Sequence, residues 1–228
     1  MKNKIHSAKN RWIFIVLAVL YVSSSVWLLG GRLIMNFLGK YTVAEIVTGF
    51  TVFNNAFTAA LFTLVIAAFF YALRSFAAGR PRAAFTFIAA ARTASFALYL
   101  LGLIFGTSDR MFLLNITLGS VAGLLECAAF YLIGSVSQSY QEARYVSYAT
   151  AAILLINAAA AAVKTYAGMM IFGAGELTLW LKILSYTGSA QFITSIAAGV
   201  TAGLVFILLR LESGKSTDGE QNENTDCS

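Results

Sequence analysis

Histidine is nearly missing from this chain: the only one, His6, precedes the first apolar run. Aspartate is confined to Asp109 in a connection and to Asp218 and Asp226 in the polar tail. These two scarcities remove an intramembrane aspartyl pair, a serine–histidine dyad and the aspartate-rich metal sites of prenyl- or phosphatidyl-transfer enzymes. There is no HExxH, no GxSxG and no Walker sequence, and no cluster has metal-ligand spacing. The chain is therefore read as non-enzymatic and without cofactor or metal. A chemistry built on Glu126 or a tyrosine is the one catalytic route left open.

Charge is scarce as well. Only 11% of the 228 residues are charged, 59% are hydrophobic, and the mean hydropathy is +0.76. Soluble domains carry about 25% charged residues, so this chain lacks the polar surface to face water and its solvent must be largely lipid. Its formal charge of +6 does not point to nucleic acid, because the basic residues follow loops and form no stripe with interleaved aromatics. Two cysteines, Cys127 in an apolar run and Cys227 in the tail, cannot build a disulfide framework.

What is abundant is long apolar sequence. Six runs, at 12–30, 53–73, 83–105, 111–136, 145–172 and 184–209, are long enough for a hydrocarbon core of about 30 Å, which takes roughly 20 helical residues. They do not alternate as the strands of a membrane barrel would. The expectation is an all-α, polytopic helical bundle of about six transmembrane helices, one domain over 1–211, with lipid as its first partner. Lys2, Lys4, Lys9 and Arg11 before the first run, and Ser23–Ser25 within it, resemble a signal peptide. The run continues far enough to span, so a retained first helix is expected.

Punctuation lies between the runs. Gly79 and Pro81 fit a helix stop and a first-turn proline, and Ser108 and Asp109 fit a helix cap. Thr42, Val43, Ala44 and Glu45 match a capping box, which would start the second helix near Thr42 after a tight turn at 39–41. A short interfacial helix between Arg32 and Phe50 is the alternative. The Lys/Arg bias sets orientation. With the amino terminus inside, Lys2, Lys4, Lys9, Arg11, Arg74, Arg80, Arg82, Arg144, Arg210 and Lys215 are cytoplasmic, against Arg32, Lys40, Arg110 and Lys182 outside. Both termini are expected in the cytoplasm, in a protein integral to the cytoplasmic membrane. The acidic stretch 212–228 lacks aromatics and is expected to be disordered.

Two charges fall inside spans. Arg92 is ten positions beyond Arg82, and Glu126 is ten positions before Val136. At 1.5 Å per residue both sit about 15 Å deep on antiparallel neighbours. Each alone costs roughly 2.5–3.5 kcal/mol on insertion scales, so a direct ion pair is expected, either as a polar site for a solute, proton or counter-ion or as a structural pin. Weaker candidates are Asn115, Asn157, Lys164 and Gln191, with Asn54 and Asn55, all in outer helix halves. They would line a polar cavity or make scattered interhelical bonds, and Lys164 would snorkel toward headgroups. Gly119 with Gly123, and Gly199 with Gly203, have the one-turn spacing of close-packing faces, suited to contacts within the bundle or in a homo-oligomer.

The leading functional expectation is a small multi-pass protein that transports or captures a small solute or ion. The alternative is a non-catalytic membrane partner, a sensory or assembly subunit of a larger complex.

Overall fold

The computed structural model describes residues 11–41, 44–106, 109–137, 141–171 and 177–223, all helical except 77–79, 106 and 137. The elements are α1 (Arg11–Tyr41), α2 (Ala44–Phe57), a π-helical stretch (Thr58–Val65), α3 (Ile66–Phe76), α4 (Arg80–Phe105), α5 (Asp109–Val136), α6 (Gln141–Ile171) and α7 (Leu177–Glu223). Because α2, the π stretch and α3 form one continuous rod, six rods result. All six are long and apolar enough to cross a membrane. The protein is an all-α, multi-pass integral membrane bundle.

Boundaries differ from the sequence expectation at α1 and at α7, and one expectation falls outside the described residues. First, α1 does not stop at Gly30 but passes through Gly30 and Gly31 to Tyr41. Ending a helix in lipid would strand backbone N–H and C=O groups, so glycines there are tolerated within the helix. Gly31 has a packing reason too: a Cβ on it would lie 3.0 Å from Asn54 Oδ1 of α2. Residues 39–41 are consequently helix, not a tight turn, and no separate interfacial helix intervenes among the described residues. Second, the capping box cannot be followed, since Thr42 and Val43 lie outside the described residues, as does Ser108. Third, α7 runs on to Glu223, where a disordered tail was expected from Glu212. Extending an existing helix costs far less than nucleating one; residues 224–228 lie outside the description. The connection before α4 is as anticipated, with Gly79 at φ +64° and Pro81 in the first turn.

The rods form a ring. Going round it, α1 packs on α7, α7 on α6, α6 on α5, α5 on α4, and α4 on α3 and the π stretch, which return to α1 with α2. Phe14 stacks on Phe206, Ser25 donates to Ile196 O, and Arg32 covers Phe192, so α1 and α7 run antiparallel. The start of α1 and the later part of α7 therefore share one face of the bundle, called the terminal face below. The C-terminal ends of α1, α4 and α6 lie at the opposite face.

Helix approach is set by small residues. A Cβ on Gly123 would meet Ala158 Cβ at 2.6 Å, and one on Gly203 would meet Val22 Cγ2 at 2.7 Å and Ala18 O at 3.1 Å. At Gly199 the obstacles are Ser25 Oγ and Tyr21 O. Gly119 departs from this pattern: nothing stands within 4 Å of its Cβ position. Crossing helices stay in close contact for only a short stretch. Here α5 and α6 touch at Gly123 and again at Gly134, which faces the Tyr148 ring, but not one turn beyond Gly123 toward the opposite face.

The half of the bundle near the terminal face is solid. Leu17, Ile66, Phe70, Ile88, Phe130, Val205 and Phe206 are fully buried. Phe70, Phe130 and Phe206 surround Tyr21 with centroid separations of 5.6 to 6.5 Å. Such edge-on and offset pairs add stabilisation beyond their burial. This aromatic plug closes the bundle axis on the terminal side.

Candidate functional site

Directly above the plug, Arg92 of α4 meets Glu126 of α5, with Nε 2.5 Å from Oε1. The two atoms touch as opposite charges without hydrogen-bond alignment, since neither has a directional partner. The guanidinium also stands 5.3 Å from the centroid of the Tyr21 ring, within the range of a cation–π contact. Tyr21 is 3% exposed, and its hydroxyl has no protein hydrogen-bond partner. The pair itself keeps 24% and 13% side-chain exposure. The pair is therefore not packed shut.

The exposed surface belongs to a cavity of about 170 Å³ on the bundle axis. Six structural elements contribute polar side chains to it: Tyr21 and Ser24 from α1, Thr58 and Thr63 from the π stretch, Arg92 from α4, Glu126 from α5, Asn157 from α6 and Ser195 from α7. Among the described lining residues, Arg92 and Glu126 are the only charged ones. The π stretch brings both threonines to the cavity, and its wider turn is visible in Thr63 Oγ1 donating to Thr58 O five residues back, at 3.5 Å. Isolated π turns are frequent at functional sites.

A second polar hollow of about 300 Å³ lies toward the opposite face, lined by Leu28, Arg32, Lys164, Gly188, Gln191, Phe192 and Ser195. Leu28 and Ser195 line both spaces, so the hollow and the cavity of the charged pair are direct neighbours, and the hollow forms a vestibule on the side away from the termini. Lys164 does not simply reach for headgroups: its Nζ donates to Gln191 Oε1 at 3.1 Å. Asn157 Oδ1 accepts from Thr194 Oγ1 at 2.8 Å and from Ser195 Oγ at 3.0 Å. Replacing Asn157 with alanine removes an acceptor of two hydroxyls, of which that of Thr194 has Ala190 O of its own helix as an alternative acceptor. A thermal-unfolding series should therefore register a modest loss, about 1 kcal/mol and below 2.

The structure thus brings Arg92, Glu126 and Asn157 to one cavity and Lys164 and Gln191 to its vestibule. Asn115 and Asn55 are exposed on the outside of the bundle and take no part. Asn54 faces α1 at Gly31. Sequence reasoning missed Tyr21, Ser24, Thr58 and Thr63. Tyr21 carried a usable signal: it lies ten positions beyond Arg11, the same depth that singled out Arg92 and Glu126. Among the described residues no three His, Cys, Asp or Glu side chains gather as metal ligands. Compared with family models, with curated proteins and with solved structures, the chain matches none.

Proposed function

We propose that the protein captures a small solute or ion at the Arg92–Glu126 cavity and passes it across the cytoplasmic membrane without covalent chemistry. The observation that carries this reading is that the buried charged pair lines an open cavity instead of being packed solid. Two features support a direction. The neighbouring hollow lies on the side of the site that faces away from the termini, and aromatic packing fills the terminal side. The Lys/Arg asymmetry makes the terminal face cytoplasmic, so this conformation is receptive from outside. Moving the plug, or the π stretch beside it, would be needed to release the solute inward.

Cysteine labelling of intact cells tests both orientation and access. On a background with Cys127 and Cys227 replaced, an impermeant thiol reagent added outside should modify single cysteines at 106–110 and 173–182. It should also modify Ser195→Cys, which lines vestibule and cavity alike. Positions 75–82 and the tail should be spared. An unreactive Ser195→Cys, or a tail labelled from outside, would sink the reading.

A second reading, a non-catalytic sensory or assembly subunit, draws on Gly119. Its open position leaves a small-residue notch of the kind another membrane helix packs against.

A further inference from the structure

We infer that the solute is a small zwitterion, with carboxylate and ammonium groups on one short aliphatic skeleton. This rests on the cavity being a capture site and specifies what it takes. Arg92 and Glu126, the only charges among the described lining residues, cancel. A solute with net charge would be held between wall charges that already cancel, and leaving a charge uncompensated inside the bundle is costly. A zwitterion enters neutral overall and can match each wall charge: its carboxylate takes the guanidinium and its ammonium takes the Glu126 carboxylate. Both contacts are then charge-assisted, the strongest class of hydrogen bond available.

The state of the pair favours that exchange. Arg92 Nε and Glu126 Oε1 touch without hydrogen-bond alignment, and the buried Tyr21 hydroxyl, which lines the same cavity, has no protein partner. The Tyr21 O–H thus has no acceptor in the protein, and a carboxylate beside Arg92 would also accept from it. A neutral polar solute would use such donors but would give no return for burying two ions, a costly arrangement compared with packed apolar side chains.

Size narrows the class. The cavity of about 170 Å³ is close to an engineered cavity of about 150 Å³ that holds benzene, which sets a guest of about six to eight heavy atoms. Alanine, serine and valine, with six to eight heavy atoms, fall in that range. Phe130, Leu154, Ala198 and Ala202 supply apolar wall for a short aliphatic group. The vestibule adds a direction of approach: Arg32 and Lys164 line it, with no acidic side chain among its described residues. The carboxylate end is drawn in first.

Alanine, propionate and ethylamine separate the classes, because propionate lacks only the ammonium group and ethylamine only the carboxylate. Calorimetric titration of the full chain in lipid nanodiscs at neutral pH should show alanine binding at least ten-fold tighter than either fragment. Tyr21→Phe should weaken alanine several-fold while leaving ethylamine unchanged. Propionate or ethylamine binding as tightly as alanine would overturn the zwitterion and leave the capture site standing. An unchanged alanine affinity in Tyr21→Phe would also overturn it, since the carboxylate would then not sit beside Arg92. Heat from none of the three, nor from chloride, sodium or glycerol at millimolar concentration, would overturn the capture site along with it.

Discussion

Glu126→Ala is expected to cost the bundle roughly 3–5 kcal/mol, the range for removing one partner of a buried ion pair. Arg92 would be left on the bundle axis with only the Tyr21 ring beside it, and a guanidinium cannot shed its charge. Arg92→Ala should be damaging but less so, because an orphaned carboxylate can neutralise itself by binding a proton. The double variant Arg92→Met/Glu126→Leu keeps similar volume and leaves no orphan charge, so much of the loss should return. Thermal unfolding of the four proteins in one detergent measures the cycle. Equal stability of the two single variants and the wild type would mean that the pair contributes nothing to the fold.

The second large effect is steric. Gly199→Leu must push a side chain into Tyr21 O and Ser25 Oγ, and Gly203→Leu into Ala18 O and Val22. A backbone carbonyl on a facing helix yields only if the whole helix moves, so overpacking here should cost at least the usual 1–3 kcal/mol. Because Tyr21 is part of the cavity wall, a displaced α1 should also disturb the site. Gly119→Leu is the internal control: its surroundings are open, and its unfolding temperature should stay near wild type. A Gly119→Leu loss as large as that of Gly203→Leu would mean that Gly119 is covered by another helix, as an assembly subunit requires.

How far these features could be read in advance depended on whether lipid leaves a trace in sequence. The six spans were legible because a bilayer demands length and apolarity that soluble folds do not. Arg92 and Glu126 were legible together because an intramembrane charge needs a partner at its own depth, and counting from Arg82 and Val136 gives that depth. Inward faces were harder. In lipid a helix is apolar all round, so periodicity does not separate core from surface. Glycine spacing therefore identified Gly123, Gly199 and Gly203 as close approaches within the bundle, whereas nothing in the chain stands within 4 Å of a Cβ at Gly119. The π stretch 58–65 left no sign at all: it has no proline or glycine, and its threonines read like any others. The α1 extension past Gly30 was misjudged because glycine ends helices in water, where exposed backbone can be solvated.

Binding by the double variant bears most directly on whether the pair is a solute site or only a pin. Arg92→Met/Glu126→Leu, once shown by its unfolding temperature to be as stable as the wild type, should be titrated with alanine alongside it. If the pair is the solute site, this folded variant should bind alanine at least a hundred-fold more weakly than the wild type. A variant equally stable and still binding alanine with wild-type affinity would contradict it and reduce Arg92–Glu126 to a structural contact.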